Sequence, residues 1–241
     1  SGLSPRQNSS LVTSGSNIAL SVAGDNPYWT GGQSANWTTS AVGGSSNWKL
    51  VTAGNTTEYL AADAVLFNDS ASGNFAVNVA ENVSPSSVTF DNSTNNYTLA
   101  SSGGFGIAAG TLTKNGSGTV TITTANTFSG ATTIGGGTLQ IGDGTTDGSI
   151  ASTSSIANNG TLAYNLTSSQ SYGNVISGAG SVTKSGAGAL TLSGANTYSG
   201  ATTVSAGTLL INGSLGNTAV TVNGGTLGGS GTIGSDTAPV V

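Results

Sequence analysis

What most narrows the possible folds of this chain of 241 residues is a long segment that occurs twice, seventy residues apart. Gly110-Thr-Leu-Thr-Lys-Asn-Gly-Ser-Gly-Thr-Val-Thr-Ile122 returns as Gly180-Ser-Val-Thr-Lys-Ser-Gly-Ala-Gly-Ala-Leu-Thr-Leu192. Ala125-Asn-Thr-Phe-Ser-Gly-Ala-Thr-Thr-Ile134 likewise returns as Ala195-Asn-Thr-Tyr-Ser-Gly-Ala-Thr-Thr-Val204, with no residue gained or lost between the copies. Self-similarity at a fixed interval is the mark of a repeat architecture. A shorter period lies inside the long one: glycine, then Thr or Ser, then an aliphatic residue, starting at Gly110, Gly137, Gly160, Gly180, Gly207 and Gly225. Its first three steps, 27, 23 and 20 residues, fill the long interval, which predicts three turns of a β-solenoid per long repeat.

Triplets such as Val120-Thr121-Ile122, Leu139-Gln140-Ile141, Leu190-Thr191-Leu192 and Val220-Thr221-Val222 alternate apolar and polar, the period of a half-buried strand. Strands of successive coils are expected to pair in parallel about 4.8 Å apart, with right-handed crossovers. The fold class read from the chain is therefore all-β, a right-handed parallel β-helix (β-solenoid). On this reading Phe128 and Tyr198, three coils apart, stand roughly 14 Å from each other and do not touch.

Composition removes whole classes of function. Only 5% of residues are charged, against about 25% in ordinary soluble proteins, and the net charge is −5. The regular aliphatic alternation argues against the disorder that so much Gly and Ser would otherwise predict. The four basic residues, Arg6, Lys49, Lys114 and Lys184, do not cluster, so nucleic-acid binding is excluded. With no Cys and no His there is no disulfide, thiol nucleophile or imidazole base. No apolar run has the length of a membrane helix, so membrane insertion is not expected. The start, small, uncharged and without an initiating Met, is that expected of a processed or trimmed chain.

Three parts follow in order. Residues 1–24 form an N-terminal extension, polar apart from Leu11, Val12 and the alternation Ile18, Leu20, Val22. That alternation reads as a short strand, either folded back as an edge strand of its own molecule or donated to a neighbour. Residues 25–62 hold all three tryptophans, Trp29, Trp37 and Trp48, with Tyr28 and Tyr59. They read as an aromatic cap over the solenoid's first coil, the alternative being a platform for stacking sugars. Residues 63–241 form the solenoid, with strands opening at Ala64–Phe67, Phe75–Val79, Val88–Phe90 and Tyr97–Leu99. Its last stretch, from Gly228, has no plug, so Leu227 and Ile233 are expected at an open end.

The copies at Gly110–Gly144 and Gly180–Ser214 resemble the autotransporter-associated β-strand repeat, also called the passenger-associated transport repeat. Its pattern is similar to Gly186–Leu209 throughout, and to Gly116–Leu139 with Thr124 in place of a glycine. The resemblance implies a right-handed β-helix, export to the bacterial surface, and structural or adhesive work. The membrane β-barrel translocator of complete members of that group is not expected within these 241 residues.

Enzymatic chemistry finds little support. The nine acids, Asp25, Glu58, Asp63, Asp69, Glu81, Asp91, Asp143, Asp147 and Asp236, contain no Asp-x-Asp pair for acid and base roles. No catalytic, cofactor or metal residues are assigned. Asp143 and Asp147 are the one pair that invites a calcium ion, but their Asp-Gly steps read first as turns. Thr-x-Thr pairs such as Thr119/Thr121 resemble ice-binding arrays, and uneven coil steps are expected to spoil such a lattice. The expected function is that of an extracellular subunit stacking head to tail with itself into a surface fibre, with Leu11, Val12, Ile18, Leu20, Val22, Leu227 and Ile233 as the self-association set. The alternative is a monomeric adhesin-like segment holding surface glycans or a host protein.

Overall fold

A computed structural model describes residues 7–14, 17–40 and 46–234, with side chains from residue 24 onward. Its regular structure is all strand, and no described residue lies in a helix. The strands wind into a parallel solenoid of about eight turns with three faces. The first face stacks Pro27–Trp29, Ala64–Asn68, Ser87–Asp91, Thr111–Asn115, Thr132–Ile134, Ile156–Asn158 and Ile176–Ser177. It continues through Ala195–Asn196, Ser214–Leu215 and Thr232–Ile233, since the Thr197 N–H donates to the Ile176 carbonyl across the join. The second face is one sheet of nine strands: Asn36–Trp37, Ala76–Val79, Tyr97–Ala100, Thr119–Ile122, Thr138–Ile141, Thr161–Asn165, Ser181–Ser185, Thr202–Val204 and Val220–Val222. The third begins as single bridges, Val83 to Ile107 and Ala125 to Ser149, and becomes a sheet at Gln170–Tyr172, Ala189–Leu192, Thr208–Ile211 and Thr226–Gly228.

The pairing register corrects the winding expected from the glycine pattern. Leu112 pairs with Thr132, Thr132 with Ile156 and Ile156 with Ile176, three turns of 20, 24 and 20 residues. Six more residues then carry the chain from Ile176 round one corner to Val182, the partner of Leu112 in the sequence repeat. One long repeat is thus three and a third turns, and the second copy sits one face further round the axis. Thr111–Asn115 lies on the first face but its copy Ser181–Ser185 lies on the second. Equivalent residues are consequently about 16 Å apart along the axis, not 14 Å. No ring contact joins Phe128 and Tyr198. The glycine steps misled because Gly110 and Gly137 open strands on different faces.

Inward side chains line up in columns. Tyr97, Val120, Leu139, Leu162, Val182, Thr202 and Val220 succeed one another in register on the second face, all buried. Each buried Val, Leu or Ile contributes about 1.5–3 kcal/mol relative to exposure. Those on a parallel ladder also align the backbone groups of neighbouring coils.

The repeat motif is explained by the corners. Asn196 accepts from the Ile176 N–H at 3.0 Å on the coil before, and donates to Gly194 O (3.0 Å) and to Ser214 O (3.2 Å) on the coil after. Asn126 does the same with Ile107 N–H, Thr124 O and Ser149 O. One amide therefore stitches three coils. Lys114 and Lys184 run through apolar columns, both 0% exposed, and deliver their ammonium groups to corner carbonyls. Lys184 Nζ donates to Ser185 O, Gly186 O and Ala206 O, and Lys114 Nζ to Asn115 O, Gly116 O and Gly136 O. Burial pulls both amines below the usual lysine range. Gly137 and Gly207 face these groups at φ +62° and +65°, where a Cβ would come within 2.8 and 2.9 Å of the ammonium nitrogens. The aromatic position is packing: Phe128 and Tyr198 are buried, and the Tyr198 hydroxyl, pushed up to about 12 by burial, bonds Thr202 Oγ1 at 2.7 Å.

Candidate interface at the two ends of the solenoid

At the N-terminal end the chain finishes its own sheet edge. Pro27–Trp29 pairs antiparallel with Trp48–Leu50, which pairs antiparallel with Thr56–Thr57, closing the first face with a short meander. The tryptophan-rich segment also supplies the first parallel rungs: Tyr28 pairs with Leu66, and Trp37 with Val79. Trp29, Trp37, Trp48 and Tyr59 are 0–1% exposed, with centroids 5.1–6.0 Å apart where they meet. They rest on Phe67, which stacks on Phe90 at 4.7 Å. Trp29 Nε1 donates to Asn74 O at 2.8 Å, so one indole is also tied to the coil that follows. With their ring faces covered, these tryptophans offer no surface on which a sugar could stack.

Before this lies a two-stranded antiparallel hairpin, Gln7–Ser14 with Asn17–Gly24, forming a sheet of its own. Its register sets Leu11 opposite Leu20, Val12 opposite Ala19, Ile18 opposite Thr13 and Val22 opposite Ser9. The five N-terminal residues singled out from the sequence thus meet in one hairpin. The sequence had shown only its second strand, because Gln7–Ser14 carries no apolar alternation.

The C-terminal end is built differently. Val220–Val222, Thr226–Gly228 and Thr232–Ile233 are the last rungs of the three faces, each paired on one side only among the described residues. Val222, Leu227 and Ile233 pack on the core from above and remain partly open. Residues 235–241, including Asp236, lie outside the described region. Leu227 and Ile233 therefore stand together, on the last rungs of two adjacent faces.

Asp69, Glu81 and Asp147 act as staples between coils. Asp69 takes the N–H groups of Ser93, Thr94 and Asn95, one coil on, and Asp147 those of Thr167 and Ser168 together with the Ser168 hydroxyl. Glu81 accepts from Thr39 N–H and from both Thr38 and Thr39 hydroxyls. Bonds from Asn95 and Ser93 hold the Asp69 carboxyl below its ordinary range; for Asp147 partial burial works upward, but bonds from Ser168 and Thr167 outweigh it. Asp143 accepts from Thr145 and Thr146 within its own turn, so Asp143 and Asp147 face different partners. Among the described residues no three His, Cys, Asp or Glu side chains gather in a metal-binding group. A groove of about 340 Å³ is lined by Asp25, Val51, Leu66 and Thr89 among others, and both Asp25 oxygens are engaged by Thr52 and Ala53 N–H groups.

A parallel β-solenoid whose first coil is closed by its own meander, and whose last described strands are paired on one side, is the class of protein these observations define. Residues 112–141 and 182–211, about a quarter of the chain, each match the family model described as a passenger-associated-transport-repeat. Each match spans five consecutive faces, one and two-thirds turns, and contains the corner lysine, the stitching asparagine and the buried aromatic. No curated protein matches the chain. No solved structure matches it either.

Proposed function

We propose that this chain is a non-catalytic structural protein of the bacterial exterior, a stiff rod whose copies stack head to tail into a surface fibre or matrix filament. The observation that carries this reading is the C-terminal terrace, where three strands paired on one side only among the described residues surround partly open Val222, Leu227 and Ile233. Unpaired strand edges are templates for a further strand, and a strand from another chain fills that role in β-augmentation. The occupant is the hairpin of a second copy, through the strand bearing Ile18, Leu20 and Val22. A contact of this kind joins unlike surfaces and, when it does not close a ring, propagates a filament. The match to a repeat named for transported passengers supports export to the surface. The engagement of Asp25, Asp69, Glu81, Asp143 and Asp147 with neighbouring backbone supports structural rather than catalytic carboxylates.

Negative-stain electron microscopy of the purified chain tests the proposal. Regular fibres are expected, and a variant lacking residues 1–24 is expected to give only short rods. Short rods from the intact chain that instead retain a surface glycan would replace this reading with that of a monomeric adhesin.

A further inference from the structure

We infer that the second face is a lateral docking surface for a second copy of this chain, independent of contacts at the ends. Its outward residues form straight ranks: Thr98, Thr121, Gln140, Ala163, Thr183, Thr203 and Thr221 in one, with Thr119, Thr138, Thr161 and Ser181 two residues along in the next. Turns of unequal length do not disturb them, because the extra residues bulge at corners such as 142–149. The expectation that uneven coils would scramble the threonine pattern therefore fails on this face. The third-of-a-turn offset builds it, since strands of the first copy are continued by non-equivalent strands of the second.

Three properties point to another copy as the occupant. No outward side chain on any of the nine strands is charged, and the single ionisable cation, Lys184, is turned inward and fully buried. Asp91 and Lys49 belong to the first face instead. Two such faces meet without charge repulsion and offer an ionic partner nothing to hold. Tyr97 and Tyr164 also point inward, so the face lacks a ring for stacking a sugar. Finally, its side chains are short, with Ala163 set lowest between Gln140 and Thr183. Thr161 Oγ1 lies 3.2 Å from Ser181 Oγ, and Gln140, the one long outward chain in the two ranks, is tied back to Gly142 O at 2.9 Å. In-register sheets of small side chains can interdigitate as a dry, closely packed pair.

Eight intervals of about 4.8 Å by strands some 13 Å wide give roughly 500 Å² per partner, close to the ~1,000 Å² total that a specific interface needs. The third face is equally free of charge but has only four strands, too few to reach that area. A single pair of chains is thus weakly joined, and the contact strengthens as rods lengthen side by side.

Sedimentation velocity over a concentration series reaching millimolar tests this with the chain lacking residues 1–24, which gives only short rods on the reading above, beside the full chain. The short rods are expected to form a reversible side-by-side dimer. Replacing Thr121, Thr183 and Thr203 by Lys together should weaken it by at least about tenfold, as unpaired charges lose their water. Replacing Thr89, Thr113 and Thr133 by Lys on the first face should leave it unchanged. Mixing the second-face Lys variant with its Glu counterpart should restore association at low salt and lose it at high salt, a response that damaged folding cannot produce. A chain that stays monomeric throughout, or equal loss from both faces, overturns the inference. Loss of fibres on deleting residues 1–24 with the lateral dimer intact would leave it standing.

Discussion

At the scale of single residues, the side chains that matter most are polar ones spent on the backbone of neighbouring coils. Replacing Asn196 by Ala orphans the buried Ile176 N–H, at a cost of about 1–3 kcal/mol, and takes the amide donor from the Ser214 carbonyl, while the Gly194 carbonyl keeps the Ser214 N–H. A clear fall in the denaturation midpoint is expected, whereas Thr197→Ala, at an exposed neighbour, should stay within about 0.5 kcal/mol of wild type. Lys184→Met keeps the apolar stem but takes the ammonium donor from the Gly186 and Ala206 carbonyls and leaves Ser185 O only the Leu166 N–H, so it should destabilise while Lys49→Met does not. The carboxylates bonded to backbone N–H groups set the acid response. Asp69, Glu81, Asp143 and Asp147 are held below their ordinary values in the folded chain, so their contribution is complete above the unfolded values near pH 4 and is lost as pH falls through the folded ones. Thermal melts should drop between about pH 5 and pH 2, and Asp69→Asn with Asp147→Asn should flatten that drop. None of these partnerships was legible in the sequence, where Lys114 and Asn126 are marked only by their recurrence. A hydrogen bond between coils is made by residues about twenty positions apart, and spacing alone does not name them.

At the scale of elements, the unit is a coil whose straight parts are constrained and whose corners are free. Beyond the longer first coil, turns run from 18 to 24 residues, yet Leu139 still pairs with Leu162 and Val182 with Thr202. One residue inserted in the exposed corner at Asn212 should therefore be tolerated. The same insertion between Thr203 and Val204 moves every later side chain of that strand to the opposite face, and should cost soluble expression and the β-sheet circular dichroism signal. Strand positions such as Ala64–Asn68 and Tyr97–Ala100 were readable from alternation. The strand Gln7–Ser14 was not, because its pairing is fixed by the partner opposite it and not by its own pattern.

At the scale of the whole molecule, stability should be close to a sum over coils and their interfaces. Successive truncations from the C-terminus at coil boundaries, after Gly213 and then after Gly194, are expected to lower the melting midpoint in steps while preserving the β-sheet signal. Collapse on the first truncation would instead mean that the last coil holds the rest together. The amino-acid sequence by itself determined that this chain coils: an interval of seventy residues, glycine punctuation and alternating triplets leave a stacked all-β rod as the solution that buries its aliphatic side chains. It also marked an aromatic N-terminal segment. Only the tertiary structure decided how far each repeat winds, because a periodic pattern fixes the number of residues between equivalent points but not the angle between them. That angle comes from how corners close around the core, and the extra third of a turn sends the two copies to different faces and leaves one long face without charge.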